Sequence, residues 1–326
     1  MEFRTSIQVI PSPHKITYQN KCLFIGSCFT ENIGNQMQSL KFPAMVNPFG
    51  ILYNPMSLNA CLQSLLAEKP FTINDLHYFN EQWHSWKHHG KFSNTDQNQC
   101  LQRINQELKR ATDFLKQTDY LILTFGTSFV YKWKESGQIV ANCHKIPQKQ
   151  FDHYQVSVKD IVDTLVPTLQ QIQEVNPKLQ TIFTLSPIRH WKNGAIDNQL
   201  SKSTLLVAIH ELKQKIENTH YFPAYEIMMD DLRDYRFYES DMLHPNTTAI
   251  DYIWEKFQTV YFDDATEKLK GKIEKILNAK NHRPRNPKSQ AHLFFLQRQL
   301  KLIEVLEIQY PFLDFETEKQ YFSNQN

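Results

Sequence analysis

The chain has 326 residues, of which 41% are hydrophobic and 21% charged, an ordinary globular composition that excludes extended disorder and lets about three quarters of the unfolded surface be buried. Lys and Arg total 36 against 34 Asp and Glu, a net charge of +2, which offers no basic field for a phosphate backbone and argues against nucleic acid as a partner. The five cysteines (Cys22, Cys28, Cys61, Cys100, Cys143) lack CxxC spacing, and no apolar run reaches signal-peptide or bilayer-spanning length, so the expectation is a reduced, cytoplasmic protein with no membrane span.

The first apolar run, KCLFI (21–25), ends at Gly26. After it, TENIGNQMQSL (30–40) spaces Ile33, Met37 and Leu40 as a helix does, with Thr30 as its expected cap. A second helix is expected over 57–68, and 98–118 carries Leu101, Ile104, Leu108, Ala111 and Leu115 on one face. The aromatic stretch 81–92 fits helix or strand. YLILTF (120–125) is apolar throughout, as a strand buried on both faces must be. Helix (156–177, irregular at Pro167), strand (179–185), helix (201–219), strand (221–229) and helix (246–262, capped by Asn246 or Thr247) complete the alternation.

Strands alternating with helices of this length predict an α/β sandwich with a mainly parallel sheet. Two further helices (265–279, 291–308) flank a Pro-rich basic stretch, 278–290. The expected organisation is therefore a domain over 1–263 and a helical C-terminal extension over 264–326, packed on it.

In open parallel sheets ligands collect beyond the carboxyl ends of the strands. That directs attention to Gly26-Ser27-Cys28, Gly126-Thr127-Ser128 and Ser186-Pro187-Ile188-Arg189, and to the loop Asp241-Met242-Leu243-His244 before a helix. A thiol at a strand-to-helix turn meets a helix N-terminus that favours a thiolate. The structural alternative is that Ser27 caps the helix while Cys28 fills space. In an Asp-x-x-His turn the carboxylate can fix one ring nitrogen and leave the other as a base. Arg189, beyond a strand end, suits a carboxylate or phosphate. His144 and Lys145 suit a polar substrate group, or else tie down their own loop. In the run Trp83 to His89, His84 and His88 have helical metal-ligand spacing but lack a matching acid or thiol. Its aromatic residues fit a sugar-binding edge or a plain structural strand.

IGSCFTENIG (25–34) resembles the signature of the GSCFA family. NPFGILYNP (47–55), LTFGTSFVY (123–131), NCHKIP (142–147), SPIRH (186–190), SDMLHPN (240–246) and HRPRNP (282–287) resemble that family as well, in order and over most of the chain. The family is similar to the SGNH, or GDSL-type, hydrolases. The resemblance implies a flavodoxin-like three-layer α/β/α fold, a nucleophile after the first strand, an oxyanion hole from a Gly and an Asn, and a DxxH before the last helix. Carried over, Asp241 and His244 match the DxxH and Gly50 matches the oxyanion glycine. Ser128 stands where the oxyanion Asn is expected; either Asn142 supplies the amide in its place or Ser128 itself donates. Aligning Gly26 with the glycine of GDS makes Cys28 the nucleophile, and a shift of one residue makes it Ser27.

The implied reaction is hydrolysis or acyl transfer at an ester, through Cys28 or Ser27, His244 and Asp241. It needs no cofactor and no metal. The partner it implies is a small-molecule or carbohydrate-linked acyl substrate, bound with the help of Arg189 and His144. The alternative class is a binding module that keeps the fold without catalysis, since two expected residues are changed.

Overall fold

The computed structural model describes residues 5–324. The chain opens with β1 (Cys22–Gly26), α1 (Cys28–Ser39), β2 (Ala44–Val46) and α2 (Pro55–Ala67). A hairpin, β3 (Leu76–Phe79) and β4 (Gln82–Ser85), precedes α3 (Gln97–Leu115) and β5 (Tyr120–Phe125). Three short strands follow, β6 (Phe129–Trp133), β7 (Ile139–Val140) and β8 (Phe151–Gln155), and then α4 (Val158–Val175), β9 (Gln180–Leu185), α5 (Gly194–Lys215) and β10 (Thr219–Phe222). The remainder is helical: α6 (Ala224–Glu226), α7 (Thr247–Tyr261), α8 (Asp264–Asn281), α9 (Gln290–Gln309) and α10 (Glu316–Asn324).

The five-stranded sheet runs β10-β9-β5-β1-β2 and every pairing in it is parallel. This is the flavodoxin-like order, whose direction reverses between β1 and β5 and opens a crevice there. Strand alternation sorts side chains onto the two faces. Leu23, Ile25, Leu121, Leu123 and Phe125 pack with α2, α3, α4 and α5, while Cys22, Phe24, Tyr120 and Ile122 pack with α1, α7 and the C-terminal helices. The result is a three-layer α/β/α sandwich.

The C-terminal helices share the second of these cores. Phe315 and Phe322 are fully buried, and the Glu318 carboxylate accepts a hydrogen bond from Lys41 just after α1, at 2.8 Å. Among the described residues no helix is long and apolar enough to cross a membrane.

Some elements differ from expectation. α1 starts at Cys28, with Ser27 rather than Thr30 in the cap position. α5 starts at Gly194, seven residues early. The strand expected over 221–229 stops at Phe222, because Pro223 offers no N–H to a ladder. The chain then coils through a π-helical turn, Ile227–Asp231. The stretch 81–92 resolves into β4 and a short 3-10 turn. The antiparallel sheet β7-β6-β8 has no counterpart among the expected elements.

Candidate active site

β1 ends in a turn that only glycine can make. Gly26 has φ +155°, and a Cβ there would stand 2.5 Å from the Thr124 carbonyl oxygen. Its N–H donates to Asn47 Oδ1 at 2.8 Å, which anchors the turn to the loop after β2. Ser27 follows in the cap position without capping: its hydroxyl makes no cap bond and is buried with no partner. Cys28 is the first residue of α1 and stays half-buried, whereas Ser27 is 1% exposed. Accessibility therefore favours the thiol over the hydroxyl. Burial pushes the Cys28 thiol above its ordinary range, while the Phe29 N–H and its own N–H pull the other way, as does the more distant Lys202. A neutral thiol in that position needs a base to become nucleophilic.

The Asp241–His244 turn is built by its own hydrogen bonds. Met242 takes a left-handed conformation, φ +59°. That conformation brings the N–H groups of Leu243 and His244 back onto Asp241 Oδ1, each at 2.9 Å. Asp241 Oδ2 receives His244 Nδ1 at 2.5 Å. Chiefly the two backbone donors, and then the imidazole, hold the Asp241 carboxyl down to about 2. A carboxylate on Nδ1 fixes the tautomer with Nδ1 protonated, so the Nε2 lone pair is left free.

Both stretches line one cavity of about 450 Å³ at the carboxyl ends of the sheet strands. Ser27 and Cys28 reach it from β1, Thr127 from β5, Ser186 and Arg189 from β9, and His244 from the loop before α7. Residues from β6 to β8 and their loops, among them Tyr131, Asn142, Cys143 and His153, form another wall. The unforeseen antiparallel sheet thus contributes part of the site.

Two carboxamides that line the cavity are set as donors. Asn142 Oδ1 accepts the His144 N–H at 2.8 Å, and Asn54 Oδ1 accepts the Ser57 N–H at 2.9 Å as the cap of α2. With both oxygens spent on backbone, each residue keeps its NH2 group for the cavity. Asn54 is not among the expected site residues. Its position before Pro55, at a helix start, is a capping signal that hides the second role.

Three expected site residues stand elsewhere. The Gly50 N–H is committed to Asn47 O at 2.8 Å. Ser128 is fully buried, with its N–H on Ser201 Oγ at 2.8 Å and its own Oγ 3.1 Å from the same atom. His144 is buried, with Nε2 2.9 Å from Ser85 O and its ring 4.4 Å from that of His84. None of the three lines the cavity. In each case a local bond or ring contact has taken the group that substrate would need. His84 has both nitrogens engaged, by Ser93 and the Phe79 carbonyl, at 2.6 and 2.9 Å. His88 contacts Ser85 Oγ at 2.9 Å. Among the described residues no three His, Cys, Asp or Glu side chains converge as metal ligands.

Two further residues at the site have no role assigned from the sequence alone. Lys202, on α5, is 2% exposed and donates to the carbonyls of Gly126 and Ser186 at 2.8 and 2.7 Å. It ties together the loops that leave β5 and β9. Burial depresses its ammonium to about 7, partly offset by Cys28 and Glu226. Lys202 lies on the stripe of Leu205, Ile209 and Leu212, and a lysine on an apolar helical face was the available clue. His190 lines the cavity with Nε2 buried and unpartnered. Burial, with Lys202 and His244 nearby, lowers it to about 3, so it is neutral at ordinary pH. A Cβ on Gly126 would sit 3.0 Å from that nitrogen, so the glycine after β5 makes room for the ring.

The fold and its cavity define a doubly wound α/β protein with a crevice at the topological switch. The chain belongs to the GSCFA family: the model of that family matches residues 21–257, and the C-terminal domain of GSCFA domain proteins matches 273–326. Comparison with curated proteins finds no relative that matches. Among solved structures, the chain is similar to a carbohydrate esterase family 2 enzyme with a carbohydrate binding domain from Corynascus thermopiles (Myceliophthora fergusii). The identity is 19%, the match covers 47% of this chain and 38% of that one, and the TM-score is 0.26. A likeness that loose says nothing of what this chain binds.

Proposed function

We propose that the protein is an esterase or acyltransferase of the SGNH type, with Cys28 as nucleophile, His244 as base and Asp241 as the group that orients it. The observation that carries this reading is the shared cavity: an accessible thiol at a helix start and an imidazole held through Nδ1 by a carboxylate line the same 450 Å³ space. His244 Nε2 takes the thiol proton as sulfur attacks the ester carbonyl carbon. The carbonyl oxygen becomes an oxyanion, with the NH2 groups of Asn54 and Asn142 as its donors. Collapse breaks the carbon–oxygen bond, His244 returns the proton to the departing alcohol, and a thioester remains on Cys28. Water or an acceptor hydroxyl, deprotonated by the same imidazole, then takes the acyl group and releases the thiol. Lys202 acts as a positioning residue through the Gly126 and Ser186 carbonyls. The substrate is an O-acyl compound, for which a carbohydrate-linked ester is the proposed class.

An activated acyl ester tests this. The wild type acquires a thioester label and turns the ester over. Cys28→Ala abolishes both, and His244→Ala slows turnover by about 10²–10⁴-fold, while Ser27→Ala leaves the label in place. Labelling that survives Cys28→Ala but disappears in Ser27→Ala reassigns the nucleophile to serine. Indifference to all three substitutions leaves a binding module.

A further inference from the structure

A second hollow, of about 420 Å³, lies beside the Cys28 cavity and shares Arg189, Trp191 and Leu243 with it. Its outer wall is aromatic. Trp191 and Tyr235 are 47% and 72% exposed, and the rings of Tyr235 and Tyr238 lie 5.8 Å apart. Large aromatic faces left in water at the mouth of a hollow are a platform for a ring with an apolar face.

The charges around it are almost all spent. Arg233 is paired with Asp230. Asp234 accepts the Arg236 N–H at 2.9 Å and pairs with its guanidinium at 3.7 Å. Asp241 is committed to His244 and Leu243. Arg189 is the exception. Its guanidinium lies 4.9 Å over the Trp191 ring, yet Nε is buried without an acceptor. Among the described residues no carboxylate forms an ion pair with it. An arginine with a shielded, unsatisfied N–H is costly unless something else completes it. The contact with the indole also restrains the guanidinium, and its N–H groups suit two-point binding of an anion.

We infer that this hollow binds an anionic sugar, whose carboxylate or phosphate pairs with Arg189 while its ring lies against Trp191, Tyr235 and Tyr238. The inference rests on reading the Cys28 cavity as the active site, since it makes the charged sugar the part of the substrate that carries the ester past Leu243. Arg189 here binds and orients, and takes no part in proton transfer.

The test is calorimetric and uses non-reacting ligands on the intact protein, so it does not depend on turnover. Methyl β-D-glucuronide and glucose 6-phosphate are titrated beside neutral methyl β-D-glucoside and inorganic phosphate. The charged sugars should bind about tenfold or more tightly than the neutral one, and more tightly than inorganic phosphate. A tighter glucuronide assigns the natural group as a carboxylate, and a tighter sugar phosphate assigns it as a phosphate. Arg189→Gln should remove the preference for charge. Tyr235→Ala, at an exposed position, should weaken every sugar and keep that preference. Equal affinity for neutral and charged sugars overturns the inference, as does a preference that survives Arg189→Gln in a protein with a normal melting curve. Binding that behaves as expected in a protein whose Cys28 takes no acyl label leaves the subsite standing and removes the enzymatic reading instead.

Discussion

Asp241 receives two backbone N–H groups and one imidazole nitrogen, and with its carboxyl held to about 2 it stays ionised across the pH range in which such an enzyme would work. Any acid limb in a pH–rate profile therefore belongs to another group. Asp241→Asn separates the two jobs of this side chain. The amide oxygen can still accept the backbone donors and keep the turn, but an NH2 group facing Nδ1 selects the tautomer with Nε2 protonated, which cannot act as a base. Turnover should fall by about 10²-fold or more, with the melting temperature and the circular dichroism spectrum unchanged. An equal loss of activity and of folded structure would count against the orienting role. Cys28 and His244 were legible in the sequence because each sits at a turn beside its own motif. Asn54, His190 and Lys202 were not. Their place at the cavity depends on strands and helices far apart in the chain, and a capping Asn or a helical Lys looks the same locally whatever lies across from it.

At the level of elements, the loop 234–246 hangs from the start of α7 by one residue. Asn246 caps α7 through Oδ1, which accepts the Ala249 N–H at 3.1 Å, while its Nδ2 donates to Arg236 O at 2.7 Å. Its own N–H reaches Phe237 O at 2.9 Å. Asn246→Ala removes these side-chain bonds, together with a longer one from Nδ2 to Tyr238 O at 3.5 Å, and should cost about 1–2 kcal/mol in urea unfolding. It should also speed hydrogen exchange of the amides between Arg236 and His244, because the turn that carries His244 loses its tether. Uniform exchange across the protein would mean that the cap supports only the helix. The same residue shows what was legible about elements. A capping Asn before an apolar periodicity marked α7 well, and the unbroken run YLILTF marked β5 end to end. β6 (FVYKW) and β8 (FDHYQ) are short and set charged or amide residues among aromatic ones, and they are only half-buried, so neither a clean alternation nor a long apolar run announces them.

For the whole molecule, burial of titratable groups sets the pH at which the fold is most stable. His88, His190 and His77 are each lowered from 6.5 to about 3, chiefly by burial. Above 6.5 the folded and unfolded chains both hold them neutral and they contribute nothing. As pH falls from 6.5 towards 3, the unfolded chain takes up protons that the folded one refuses, so stability drops. For the well-shielded pair His88 and His190 the limiting slope is of order 2–3 kcal/mol per pH unit, and the more exposed His77 adds less. Lys202, lowered from 10.5 to about 7, extends the same trend upward, since its burial is relieved as pH rises through that interval. The buried thiols Cys22 and Cys61 act oppositely: both are raised well above 9.0 by burial, so above about pH 9 the unfolded chain ionises first and gains. Urea midpoints measured across pH should therefore peak between about 7 and 9 and fall steeply below 6. His88→Phe or His190→Phe should flatten the acid side by roughly one proton each, whatever each does to the midpoint at neutral pH. A midpoint that stays level from pH 7 to pH 5 would mean that these histidines are hydrated in solution, and with His190 hydrated the crevice would be more open than its unpartnered Nε2 implies.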